Sequence, residues 1–103
     1  MNDILPNIII SAVRYHHFFA VTELLRFDQD LVYSKNHEDY SLFHAVSYKY
    51  SNKMFALLIT ASEKSRRLSL INEPDVYGYS PLNYAIKFNQ PHCIDALLAA
   101  GAT

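Results

Sequence analysis

Five histidines, one cysteine and ten carboxylates are the residues of this 103-residue chain whose chemistry has to be weighed first. His16 and His17 are adjacent, His37 and His44 stand apart, and His92 neighbours Cys93. No two histidines have the four-residue helical spacing with a glutamate base that a zinc hydrolase uses, and one cysteine is too few for a structural zinc set. Cys93 falls at an apolar position of a helical stretch, where a thiol serves as a small hydrophobe. A serine or cysteine nucleophile would need a base within reach and an oxyanion site. The two glycines, Gly78 and Gly101, build neither a strained nucleophile turn nor a phosphate cradle. The residues therefore point to no catalytic group, no metal and no cofactor, and the segment is not expected to be an enzyme.

The elements that would carry these side chains read as short helices in pairs. Residues 8–15, 41–48 and 81–88 read as first helices, and 18–26, 52–60 and 91–100 as second helices. Val21, Leu24 and Leu25 in one second helix and Met54, Leu57 and Leu58 in the next recur at helical spacing. His17, Ser51 and Asn89-Gln90 mark tight turns between partners. Ser80 is a capping residue, Pro81 suits a first helical position, and Gly101 suits a helix exit with positive φ.

The chain also matches itself. Ile9-Ile10-Ser11-Ala12-Val13 aligns with Leu42-Phe43-His44-Ala45-Val46 at a separation of 33 residues, and Leu24-Leu25 with Leu57-Leu58 at the same offset. Leu42 and Ala45 align with Leu82 and Ala85 at 40, as does Leu57-Leu58 with Leu97-Leu98. A pair of short helices cannot bury its own apolar stripe, so neighbouring pairs must stack and share a core. Alanine at the recurring position suits a close helix contact.

Tyr79-Ser80-Pro81-Leu82-Asn83-Tyr84-Ala85 resembles the T-P-L-H-x-A signature of the ankyrin repeat family, and 33 is that family's period. The resemblance runs from about Ile4 to Thr103, strongest in the third copy and thinnest in the first, which suits a terminal cap. It implies an all-α ankyrin repeat solenoid of stacked helix-turn-helix pairs with short β-hairpin-like fingers. One domain would span residues 1–103, with repeat 1 at about 5–34, repeat 2 at about 35–70 carrying an inserted loop at 63–69, and repeat 3 at about 71–103.

On this alignment Glu38 stands where Gly78 and the family glycine stand, so a distorted first finger is expected. The family's histidine corresponds to Phe43 and Asn83, while His44 pairs with Tyr84. The usual bracing of the finger by that histidine would then be lost in copy two, making copy two the most irregular or mobile.

The family's concave face, carried onto this chain, implies protein contacts at Tyr15, His37, Asp39, Tyr48, Tyr77, Tyr79, Lys87 and Phe88. Tyr15, Tyr48 and Phe88 occupy one recurring position and should form an aromatic ladder. It serves either as a contact patch or as packing between repeats. The insertion, Glu63-Lys64-Ser65-Arg66-Arg67-Leu68-Ser69, reads as a solvated loop, as a contact for an acidic partner, or as a basophilic kinase site with Ser69 as acceptor.

The expected function is protein-protein interaction through the concave face. The alternatives are a targeting or scaffolding segment of a larger multi-domain enzyme or host-directed effector, or a homo-oligomer formed through the copy-three end. Half of the residues are apolar and the net charge is -1, which gives no general reason to expect nucleic acid or membrane as a partner. A lone cysteine and the lack of a basic, apolar leader favour a cytosolic compartment, the host's if the chain is secreted. Copy three stops where a fourth would begin, so the expectation is either continuation into further repeats or domains or a small protein whose last helix pair is covered by a partner.

Overall fold

Apolar stripes repeating every 3.6 residues on short segments produce helices that must be covered by one another. The computed structural model, which describes residues 4–64 and 68–103, shows six α-helices arranged this way. They are α1 (Ile4–Arg14), α2 (Phe18–Phe27), α3 (Leu42–Tyr48), α4 (Asn52–Lys64), α5 (Pro81–Lys87) and α6 (Pro91–Ala99), with 3-10 turns at Gln29–Tyr33 and Leu68–Asn72. The first helices form one row, α1 on α3 and α3 on α5, while α2 packs on α4 and α5 on α6. Among the described residues there is no strand, only an isolated antiparallel bridge between Lys35 and Ser41.

The core runs through all three layers. Ile9 and Val13, Leu42, Phe43 and Val46, then Ala85 line the first-helix row, and Val21, Met54, Leu58, Cys93 and Leu97 line the second; none is more than 1% exposed. Burial pushes the Cys93 thiol up, as suits a core hydrophobe whose Sγ lies 3.6 Å from Ser47 Oγ. α1 begins at Ile4, a turn earlier than the expected Ile8. Pro6 sits in its first turn, where a missing N–H costs nothing. α4 extends to Lys64 and the next 3-10 turn starts at Leu68, so part of the insertion is helical; Ser65, Arg66 and Arg67 lie outside the described residues.

The register between copies two and three is 39 residues, one fewer than the 40 expected from the leucine and alanine matches. Ser41 and Ser80 are equivalent N-caps, each accepting from the backbone of the residue three further on. Met54 and Leu58 are buried as Cys93 and Leu97 are, at the same offset. Leu57-Leu58-Ile59 against Ala96-Leu97-Leu98 explains the slip: an apolar triplet lets a leucine pair match equally well one residue out of place.

This shift corrects the expected damage to copy two. The residue equivalent to Gly78 (φ 84) is Asp39 (φ 58), not Glu38, and aspartate tolerates the left-handed region better than most side chains. The first finger is therefore well formed: Asn36 N donates to Tyr40 O at 3.1 Å, and Asn36 Oδ1 accepts from the amides of Glu38 at 2.8 Å and Tyr40 at 3.0 Å. The second repeats it 39 residues on, with Asp75 N donating to Tyr79 O at 2.9 Å and Asp75 Oδ1 accepting from the amides of Tyr77 and Tyr79, both at 3.0 Å. Val76 N donates to Glu38 O at 2.9 Å and ties one finger to the other.

The irregularity of copy two lies instead in its helix-to-helix turn. His17 N closes on Ala12 O in copy one and Gln90 N on Ala85 O in copy three, behind left-handed His16 and Asn89. In copy two Lys49 is extended, and Tyr50 N donates to Gln90 Oε1 of the next repeat at 3.0 Å.

Gly78 has open space around its Cα, so an added methyl would meet nothing and only its backbone angle would be penalised. Gly78→Ala should thus cost about 1 kcal/mol, read as a lower urea midpoint at unchanged slope. A loss below a few tenths of a kcal/mol would show that the finger relaxes into another turn.

Candidate functional site

The two fingers and the outer side of α3 and α5 are joined by a polar bridge built on His44. The imidazole is fully buried. Its Nδ1 accepts from the Ser41 amide at 3.0 Å and from the Ser41 hydroxyl at 2.7 Å, so the proton sits on Nε2, which donates to Tyr79 O at 2.8 Å. One side chain thereby closes the N-cap of α3 and holds the second finger. Burial pushes the imidazole pKa down, against the opposing pull of the Tyr79 carbonyl and the Asp75 charge. His44, and not Phe43, stands in the register of Asn83, so the bracing expected to be lost is present.

Asp75 is the second anchor. Its carboxylate is 6% exposed, and besides the two finger amides it accepts a hydrogen bond from the Tyr84 hydroxyl. Burial opposes its ionisation, but the hydrogen bonds from Tyr84 and the amides of Tyr79 and Tyr77 together outweigh this and hold the pKa below its usual range. Tyr84 is displaced upward by burial and by that bond to Asp75.

Rings cover this polar bridge. Tyr84 meets His44 at 5.5 Å, Tyr40 at 5.8 Å and Tyr79 at 5.6 Å between centroids, and lies nearly parallel to Phe88 at 6.1 Å. Phe88 meets Tyr48 edge to face at 5.0 Å, and the Arg14 guanidinium lies 4.2 Å from the Tyr48 centroid. The aromatic surface is therefore continuous from the second finger across α5 and α3, and the Arg14 guanidinium joins it to α1.

A family model for ankyrin repeats in three copies matches residues 9–103. The chain belongs to the ankyrin repeat family. No curated protein matches it. Ankyrin repeats are in general protein-protein interaction modules and are not catalytic.

In this ankyrin stack the residues singled out from sequence fall into three groups. Tyr77 (63% exposed) and Tyr79 (45%) stand on the second finger, with Lys87 beside the Tyr79 and Phe88 rings at 5.9 and 5.8 Å. Tyr77 donates through its hydroxyl to Glu38, which pushes its own pKa up and fixes the ring across both fingers. His37 and Asp39 are exposed on the first finger.

Tyr48 is half buried, Phe88 is 36% exposed, and Tyr15 is 66% exposed beside the cleft that Arg14, His16, Tyr48 and Lys49 line. The expected ladder needs correcting. Lys87, not Phe88, is equivalent to Tyr48 in the observed register, and in copy one it is the Arg14 guanidinium that lies over the Tyr48 ring. Ser69 is exposed in the 3-10 turn at Leu68–Asn72, and the arginines that complete its kinase-like match lie outside the described residues.

Tyr40 and Asp75 were not read from the sequence as parts of the site, and His44 and Tyr84 were read only as aligned first-helix positions. A signal existed: Asn36 and Asp75 each precede their turn by the same interval, as turn-forming side chains that bond the amide two residues on. Among the described residues no group of three or more His, Cys, Asp or Glu is placed to hold a metal ion, and no helix is long and apolar enough to cross a membrane.

Proposed function

We propose that the chain binds another protein through the face made by its finger tips and the outer side of its first helices. The observation that supports this is the pairing of exposure with rigidity. Val76, Tyr77, Tyr79 and Phe88 are exposed, yet the backbone beneath the first three is held by Asp75, His44 and the cross-finger bond to Glu38. Aromatic side chains fixed in advance give large contact area at small entropic cost, the property of binding hot spots. Tyr48 and Tyr84 act on this reading as the bed on which Phe88 and Tyr79 rest.

The double variant Tyr77→Ala, Phe88→Ala should reduce recovery of specific partners from a lysate by about tenfold or more, since two aromatic contacts of hot-spot size are removed. Far-ultraviolet circular dichroism should stay unchanged. Undiminished recovery by a variant that melts normally would place the contact elsewhere.

A further inference from the structure

The edge formed by the three helix-to-helix turns has a charge pattern that the aromatic face does not explain. All ten acidic residues fall outside residues 4–22, 40–62 and 76–94, the three windows that contain the first helices and the turns after them. Those windows carry Arg14, Lys49, Lys53 and Lys87, with His16, His17 and His92 beside them.

Three of these four cations lie against rings, whereas Arg26 and Lys35 are paired with carboxylates. Elsewhere Arg26 pairs with Glu23 at 3.1 Å and Lys35 with Glu73. On the turn edge Arg14 lies over Tyr48 and Lys53 Nζ lies 4.2 Å from the Phe18 centroid, while Lys87 stands where this edge meets the aromatic face, near both Phe88 and Tyr79. Among the described residues none of the four makes an ion pair. Arg14 Nε is buried without a hydrogen-bond partner.

Successive turns are strapped together, so the edge is one surface. His16 Nε2 lies 2.7 Å from Lys49 O, which places its proton on that nitrogen as donor, and Tyr50 N donates to Gln90 Oε1. Clefts open at each junction, one beside Arg14 and Lys49 and one between Tyr50, Asn52 and His92. A guanidinium stacked on a ring keeps its N–H edge for a planar carboxylate, and an ammonium over a ring keeps donors facing outward.

We infer that this edge docks an acidic peptide segment of the partner, its carboxylates paired with Arg14, Lys49 and Lys53. The inference rests on the protein-binding reading above and names the partner's chemistry. Nucleic acid fits less well, because four cations release few counterions. Lipid fits less well too, because Ser51-Asn52 and Asn89-Gln90 interrupt the edge with polar turns.

Fluorescence anisotropy with a labelled oligoglutamate peptide tests this on the full chain. The peptide should bind at low salt and weaken as salt rises, and Lys49→Glu with Lys53→Glu should lower affinity by about tenfold or more, because two attractions become repulsions. Both lysines are exposed, so the fold tolerates the change. Arg26→Glu, one reversal on an already paired cation, should stay within about twofold of wild type. No binding of the peptide, equal binding by the double reversal, or tighter binding of oligothymidylate or of phosphatidylserine vesicles would overturn the acidic-partner inference. These results are independent of whether Tyr77 and Phe88 govern partner recovery, so either reading can fail alone.

Discussion

Replacing His44 with alanine should lower the unfolding free energy by about 3 kcal/mol, from two buried polar groups losing their partner and a cavity opening among rings. The Ser41 amide and the Tyr79 carbonyl would be the orphaned groups, and the rings of Tyr40 and Tyr84 the walls of the void. His44→Asn should recover part of the loss. Asparagine at this position can still accept from the Ser41 amide, as Asn83 Oδ1 does from the Ser80 amide at 2.9 Å, but is too short to reach Tyr79.

The same residue sets a pH dependence. Burial lowers the folded-state pKa of His44 beneath its unfolded value near 6.5. The unfolded chain then takes up the proton first, so this contribution is complete above about 6.5 and declines as pH falls from there towards the folded value. Urea midpoints at pH 7.5 and pH 5.5 should differ in the wild type, and by clearly less in His44→Asn and His44→Ala. An identical pH slope in all three would remove His44 as its source.

Asp75→Ala should be comparably severe, again about 3 kcal/mol, since three donors lose one buried acceptor. The amides of Tyr77 and Tyr79 and the hydroxyl of Tyr84 all point at that carboxylate. Because the second finger carries both tyrosines of the proposed contact face, its loosening should also show as faster hydrogen exchange at Tyr77 and Tyr79 than at Glu38 and Tyr40. Asp75→Asn should keep the two amide bonds, as Asn36 does in the first finger, and so retain slow exchange at lower stability.

The depressed pKa of Asp75 adds stability that is present above the unfolded carboxyl value near 4 and disappears as pH falls through the folded one. An acid-unfolding curve that does not change in Asp75→Asn would contradict this. If exchange stays uniform across the two fingers in Asp75→Ala, the carboxylate is not what holds the second one.

Tyr77 and Phe88 were placed on an outward face by the family resemblance, which is anchored in copy three by strong local marks, a glycine turn and a proline-started helix. Tyr84 was not. It reads as an ordinary helical residue until the neighbouring repeat brings His44 and Tyr40 against it from about forty positions earlier in the chain. The turn edge lay in plain sight as an absence of acids, but only stacking turned three separate acid-free windows into one surface.

Local pattern alone determined that the described residues form short helices in pairs, because serine caps, prolines at first helical positions and 3.6-residue apolar stripes act within a few residues of themselves. It also determined that the pairs stack, since none could bury its stripe unaided. Which residue faces which was decided only by the tertiary structure. Hydrophobic matching is nearly unchanged by a slip of one position when leucines stand side by side, whereas a hydrogen bond from His44 to Tyr79, or from Tyr84 to Asp75, is lost with a displacement of an ångström or two.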